Sequence, residues 1–120
     1  MTPHFKKDEL ACKCGCGMLP EQSFMDKVEK VRVRYGKPLP VNSAARCPDH
    51  NARVSGTGRD GPHTTGRAID LGVRGVDAYR IVRIAMEEGF TGIGVSQKGA
   101  TRFIHIDDCA NDKRPNVWSY

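Results

Sequence analysis

The sequence predicts a single α+β domain in which two main helices pack against a small antiparallel sheet. Two amphipathic stretches have the period of a helix, and short runs of strand-forming residues surround them. The two strand candidates nearest the C-terminus are close enough in sequence to form an antiparallel hairpin. At 120 residues the chain fits one domain, residues 1–120, with a core of its own.

The two helices are predicted from apolar residues that recur on one helical face. The first helix covers residues 21–35, and its apolar stripe consists of Phe24, Val28, Val31 and Tyr35. The second covers residues 77–89, and its stripe consists of Ala78, Ile81, Val82, Ala85 and Met86. Gly89 is the expected C-cap of the second helix.

Four strands are predicted, over residues 39–44, 67–72, 92–96 and 102–107, with a hairpin connection at 97–101. Residues 1–20 are expected to form a loop, and so are residues 55–66, which contain four glycines. A loop of this length in a small domain is usually functional or disordered. The polar tail is expected to pack back on the domain through Val117, Trp118 and Tyr120.

The net charge of +5 favours anionic partners such as nucleic acid, anionic lipid or bacterial wall polymers, although it also fits a merely solvated surface. Basic residues do not cluster and aromatic residues are only 7% of the chain, so we expect no nucleic-acid partner. No apolar run reaches the ~18 residues of a membrane span, so we expect no membrane partner either. The N-terminal stretch has no apolar core of a signal peptide, which predicts synthesis in the cytoplasm.

Five cysteines are present: three in the run CKCGC, at Cys12, Cys14 and Cys16, and two more at Cys47 and Cys109. The spacing differs from the CxxC pattern of common structural zinc sites. Three interpretations remain open, namely a second metal site, a disulfide formed in an oxidising place, and small packed residues. The sequence does not decide their pairing.

Two histidines and two carboxylates have spacings that could form a metal site. His105 and Asp107 share one face of a predicted strand, because residues i and i+2 point the same way. If strands 67–72 and 102–107 are neighbours, His63, Asp70 and His105 can meet. Two imidazoles and one carboxylate with an open position are typical of a catalytic zinc site, which activates water and polarises a carbonyl. From spacing alone, however, a surface salt bridge or a satisfied core histidine is the better explanation of these residues.

Four segments resemble a known family when they are taken together and in order. HTTGRAID resembles the HxxGxAxD motif of the M15 zinc peptidases, which are D-Ala-D-Ala carboxypeptidases and peptidoglycan endopeptidases with a Hedgehog-like fold. RFIHID resembles their second motif, SAARCPDHN their Ser-Gly-x-Arg segment, and GFTGIGVS the Gly-Ile-Gly strand. HFKKDELACKCGCG is similar to the N-terminus of phage-borne members.

The resemblance implies that His63, Asp70 and His105 bind Zn²⁺ and that the sheet carries this site. It also implies that Arg46 lies in the cleft, where it would pair with a substrate carboxylate or stabilise an oxyanion. A salt bridge that orients Asp70 or Asp107 is the alternative role for Arg46. Three positions depart from the family pattern, namely Ala44 in place of Gly, Gly61 in place of Ser, and Arg102 in place of an acidic general base.

Without an acid at position 102, Asp107 is the predicted general base, and the alternative is that Asp107 orients a metal ligand. His50 is a third, weaker candidate. The function implied is hydrolysis of peptide bonds in peptidoglycan stems or crosslinks by a monomeric, phage- or prophage-encoded enzyme, released by a holin or carried on a virion. The rival is a non-catalytic zinc-binding module of the same fold, which the absence of an acid at position 102 favours. The bond that is cut and the host stay open.

Overall fold

The computed structural model describes all 120 residues, which form four α-helices, one 3₁₀ turn and five strands. The helices are α1 Lys7–Leu10, α2 Gln22–Tyr35, α3 Pro48–Val54 and α4 Val76–Glu87, and the 3₁₀ turn is Pro62–Thr65. The strands are β1 Val41–Ser43, β2 Ala68–Leu71, β3 Gly92–Ser96, β4 Phe103–Asp107 and β5 Asn116–Ser119. None of the helices has the length and apolar character needed to cross a membrane.

The five strands form one mixed sheet in the order β1-β2-β4-β3-β5. The α+β class is confirmed, and the four predicted strands pair antiparallel. The expectation of a purely antiparallel sheet is wrong at one edge, because β5 runs parallel to β3. Strand β5 can run parallel to β3 because residues 108–115 connect the end of β4 to the edge of the sheet beside the start of β3.

One face of the sheet is apolar and lies against α2 and α4. Ile69 and Leu71 of β2 and Ile104 and Ile106 of β4 point into this core, and all four are almost completely buried. Because side chains alternate along a strand, Asp70, His105 and Asp107 point to the opposite face. The predicted alternation is therefore confirmed, and it separates the core from the candidate site.

Both main helices are confirmed to within two residues at each end. Glu21 is the N-cap of α2, and Gly36 ends this helix in the left-handed conformation with φ 81°. Gly89, with φ 85°, follows α4 directly after its C-cap Glu88. Phe24 of α2 packs against Phe90, which follows the end of α4, with the ring centroids 5.9 Å apart in an edge-on arrangement.

Three short helical segments were not predicted from the sequence. Residues 1–20 are not entirely loop, since α1 lies within them, and the 3₁₀ turn lies within the predicted loop 55–66. The third is α3, which begins at Pro48 and has Cys47 as its N-cap. Proline is well tolerated there because the first helical N–H has no partner within the helix.

Candidate metal centre and cleft

Three candidate metal ligands converge above the polar face of the sheet. Asp70 and His105 are paired across β2 and β4, as the sequence predicts for neighbouring strands. His63 comes from the 3₁₀ turn, which ends at Gly66 in the left-handed conformation and leads directly into β2. The Nε2 atom of His63 lies 3.2 Å from Oδ1 of Asp70, and Nδ1 of His105 lies 3.0 Å from the same oxygen.

These distances fit a metal ion shared by the three side chains. Their donor atoms all lie within 4.8 Å of one another, and all three residues are buried. Ligands of a four-coordinate zinc ion at about 2.0–2.1 Å are roughly 3.3 Å apart, close to the separations from Asp70. The chemistry of the set, two imidazoles and one carboxylate, also suits zinc.

The outer hydrogen bonds of the two imidazoles fix which nitrogen faces the centre. Nδ1 of His63 donates to the carbonyl oxygen of Ala44 at 2.7 Å, because a carbonyl can only accept. Nε2 of His105 lies 2.7 Å from Oδ2 of Asp107 and donates to it. Each ring can therefore present its other nitrogen as a lone pair to a cation, which is the usual arrangement for a histidine ligand.

The charges at the centre favour an ionised carboxylate. Burial by itself would raise the pKa of Asp70, but hydrogen bonds with His105 and His63 outweigh it and hold the pKa well below its usual value. For His105 the effect of burial has the opposite sign, because burial disfavours the charged imidazolium and would lower its pKa. The contacts with Asp107 and Asp70 outweigh this and raise the pKa. The ionised Asp70 carboxylate therefore favours a proton or a metal cation between it and the two imidazoles.

The three residues line a cleft of about 680 Å³. Arg46, predicted to lie in this cleft, does line it. Its Nη2 atom is 3.6 Å from Oδ2 of Asp70, and it donates from Nε to Oγ of Ser43 at 3.1 Å and from Nη1 to Oδ1 of Asn51 at 2.9 Å. The guanidinium is therefore held beside the centre and also contacts the candidate ligand Asp70.

Asp107 lies behind His105 and does not line the cleft. Its side chain is fully buried. Besides the contact with His105, it accepts from Nε and Nη2 of Arg114 at 3.0 and 2.9 Å and from the Cys109 backbone N–H at 3.3 Å. Burial would raise its pKa, but His105 and Arg114 hold the pKa well below its usual range. Of the two roles that the sequence left open, this environment favours the orientation of His105.

The three departures from the family pattern have local explanations. Ala44 accepts a hydrogen bond from His63 through its backbone carbonyl oxygen, and this contact does not depend on the Ala44 side chain. At Gly61, an added Cβ would overlap with the Thr57 hydroxyl, so the loop leaves no space for a serine without rearrangement. Arg102 donates to the Gly99 carbonyl at 3.1 Å in the hairpin and does not line the cleft.

His50 is separate from the centre. It lies in α3, does not line the cleft, and its backbone N–H donates to Sγ of Cys47 at 3.4 Å.

The five cysteines lie in two separate places. Cys109 lines the cleft, whereas Cys12, Cys14, Cys16 and Cys47 form a second cluster outside it.

Four residues around the cleft have a role that the sequence did not predict. Asn51 is buried, accepts from Arg46 and donates to Oγ1 of Thr57 at 2.8 Å, so it connects the guanidinium to the glycine-rich loop. Asp60 is the one carboxylate besides Asp70 that lines the cleft. Of the four, only Asn51 was indicated by the sequence, because it is the last residue of the SAARCPDHN segment.

The other two residues, Arg114 and Trp118, come from the C-terminal tail. The Trp118 ring centroid is 5.2 Å from that of His105, and the Arg114 guanidinium stacks 4.8 Å from the Trp118 ring. Trp118 can approach because Gly94 lies beneath it, and a Cβ at Gly94 would come within 2.9 Å of its Nε1. The tail therefore forms one wall of the site, a role that its polar sequence did not reveal.

An α+β domain with two imidazoles and a carboxylate in an open cleft has the donor set of catalytic zinc hydrolases. The family model for Peptidase M15 matches residues 3–107, and the chain belongs to this family of peptidases, whose members are generally zinc-dependent. This confirms the resemblance inferred from the four motifs. The match ends at Asp107, so Arg114 and Trp118 lie outside it. No curated protein sequence matches the chain.

Proposed function

We propose that the chain is a zinc metallopeptidase that hydrolyses peptide bonds in the stem peptides or crosslinks of bacterial peptidoglycan. The observation that carries this proposal is the convergence of His63, Asp70 and His105 beside Arg46 in one cleft, in a chain of the M15 family. The family match supports a peptidase, and the donor set supports zinc as its metal.

His63 and His105 would hold zinc through Nε2 and Nδ1, and Asp70 would hold it through a carboxylate oxygen. A bound zinc ion supplies Lewis acidity and activates water near neutral pH. The contributions of the chain are orientation and charge. Ala44 and Asp107 keep the two rings in the tautomers that leave the inward nitrogens free to bind.

Arg46 supplies a fixed positive charge at the side of the cleft. Its contacts with Ser43 and Asn51 hold the guanidinium in place before a substrate arrives. In the proposed reaction it pairs with a substrate carboxylate or with the oxygen that becomes negative as the peptide carbonyl is attacked. Because its position is set in advance, little reorganisation is needed when that charge develops.

The charge of the cleft supports an anionic substrate. Arg46, Lys113 and Arg114 line it, against the two carboxylates of Asp60 and Asp70. Stem peptides of peptidoglycan carry free carboxylates, and a net charge of +5 would keep the protein near an anionic wall. We propose that the domain acts as a monomer on such peptides without a nucleic-acid or membrane partner.

We further propose a phage or prophage role, in which the protein reaches the wall through a holin or on a virion. The similarity of HFKKDELACKCGCG to phage-borne members supports this route. The test is expression in bacterial cells with and without a co-expressed holin. Lysis only when the holin is present is expected, and lysis without any holin would contradict the route.

The experiment that tests the activity is mass spectrometry of purified peptidoglycan fragments after incubation with the zinc-loaded protein, with His63→Ala alongside. A new product that requires His63 is expected, and its mass identifies the bond that is cut. The rival is a non-catalytic zinc-binding module, which the presence of Arg102 in place of an acidic residue favours. Protein that binds zinc at His63 but yields no product from any fragment would support that module.

A further inference from the structure

A cluster of four cysteines lies outside the cleft and has no part in the proposed reaction. Cys12, Cys14 and Cys16 are in the loop that follows α1, and Cys47 is the N-cap of α3. The Sγ atoms of Cys12 and Cys14 are 3.4 Å apart, and those of Cys14 and Cys47 are 3.6 Å apart. All four Sγ atoms lie within 4.8 Å of one another.

These separations match four thiolates around one metal ion. Four sulfurs bound tetrahedrally to zinc at about 2.3 Å would be roughly 3.8 Å apart. A disulfide requires an S–S distance of about 2.0 Å, and all four cysteines are free. Core packing explains only Cys12, because Cys14 and Cys16 are exposed and Cys47 is half-buried.

The backbone of the loop brings the sulfurs together. In an extended strand, residues i and i+2 are about 6.6 Å apart, which would spread Cys12, Cys14 and Cys16 too far for one ion. Gly15 and Gly17 adopt φ values of 87° and 88°, in the left-handed region that glycine favours, and they curl the chain between and after these cysteines. The CxCxC run therefore presents alternate thiols to one point.

Backbone N–H groups also point at two of the sulfurs. The Cys47 N–H donates to Sγ of Cys12 at 3.3 Å, and the His50 N–H donates to Sγ of Cys47 at 3.4 Å. Hydrogen bonds from backbone amides favour the charged thiolate over the thiol. The thiolate is the form in which cysteine binds metals.

We propose that Cys12, Cys14, Cys16 and Cys47 bind a second zinc ion in a closed structural site. Four protein thiolates leave no position for a substrate, so this ion would stabilise the fold and take no part in hydrolysis. It would join the N-terminal loop to the residue that follows Arg46. The same two segments also meet through the Ala45 N–H, which donates to the Leu10 carbonyl at 3.2 Å.

The test is a metal count on full-length protein expressed with added zinc and purified under reducing conditions. We expect two zinc ions per chain in the wild type, and one in His63→Ala and in the double variant Cys14→Ser/Cys16→Ser. Both substituted cysteines are exposed, so the double variant is expected to fold. Cys109→Ser is the matched control, since Cys109 lies outside the cluster, and it should retain two.

Cobalt provides a second readout that is independent of activity. Co²⁺-loaded His63→Ala should show sulfur-to-cobalt charge-transfer absorption, and this absorption should be lost when Cys14→Ser/Cys16→Ser is added. Two zinc ions in the double variant, iron instead of zinc on the cysteines, or a Cys14–Cys47 disulfide with no metal would each overturn the proposal. A wild-type protein that holds only one zinc ion, kept in His63→Ala and lost in Cys14→Ser/Cys16→Ser, would instead count against the proposed function. The proposal of a cysteine site would still hold.

Discussion

Asp107 contacts His105 from the side opposite to the candidate metal, with Oδ2 of Asp107 2.7 Å from Nε2 of His105. The two residues lie on the same face of β4, and Nδ1 of His105 faces Asp70. Arg114 in turn holds the Asp107 carboxylate with two hydrogen bonds. The chain Arg114–Asp107–His105 therefore ties the C-terminal tail to the orientation of a candidate ligand.

Replacement of Asp107 by Asn should separate its two candidate roles. The substitution removes the charge that holds the His105 ring, so we expect zinc affinity to fall by about 10–100-fold. Competition with a chelator of known affinity measures this change, and Asp60→Asn, which leaves the His105 contact intact, is the control. An unchanged zinc affinity together with a large loss of kcat would show that Asp107 is the general base.

Arg46→Ala should reduce kcat by about 10²–10³-fold at full zinc occupancy, since it removes a preorganised positive charge from the cleft. Zinc content should stay the same, because Arg46 is not one of the three donors. Steady-state kinetics on a peptidoglycan fragment and metal analysis of the same sample provide the two readouts. If zinc affinity falls and kcat at saturating zinc does not, Arg46 serves only to orient Asp70 through their 3.6 Å contact.

Gly94→Ala should destabilise the protein by about 1–3 kcal/mol, the usual cost of overpacking. The added Cβ would come within 2.9 Å of Trp118 Nε1 and 3.0 Å of His105 Cβ. Chemical denaturation measures the free energy of unfolding. In a Trp118→Ala background the cost of Gly94→Ala should be smaller, and equal costs in the two backgrounds would show that Trp118 does not press on Gly94.

Asp108→Asn should lower the free energy of unfolding at pH 7 by about 1.5–3 kcal/mol, the range for hydrogen bonds to charged groups. Asp108 accepts from Nε and Nη2 of Arg67 at 2.8 and 2.7 Å and from Nζ of Lys27 at 3.0 Å. Its side chain is only 7% exposed.

The effect of Asp108→Asn should depend on pH. Burial would raise the pKa of Asp108, but Arg67 and Lys27 lower it below its ordinary value. The stabilisation is therefore fully present above the unfolded pKa of about 3.9 and is lost as pH falls through the lower folded pKa. Urea denaturation of both proteins from pH 7 to acid checks this, and a difference that grows on acidification would contradict the ion pair.

The sequence by itself determined the main helices, the four antiparallel strands and the set of residues at the candidate centre. These features depend on local regularities, namely a period of 3.6 residues for α2 and α4 and a period of two for β4. The alternation in β4 placed His105 and Asp107 together on one face. The order of four motifs then linked His63 and Asp70 to His105, although they are distant along the chain.

Tertiary structure alone decided the rest. Strand β5 is exposed along most of its length, so its sequence has no apolar alternation, and only its pairing with β3 places Trp118 beside His105. The charge of the buried Asp107 is paired by Arg114, seven residues along the chain. The cysteine cluster likewise depends on a contact between residues 35 positions apart, Cys12 and Cys47. Contacts of this kind arise when separate elements pack, and no local pattern in the chain records them.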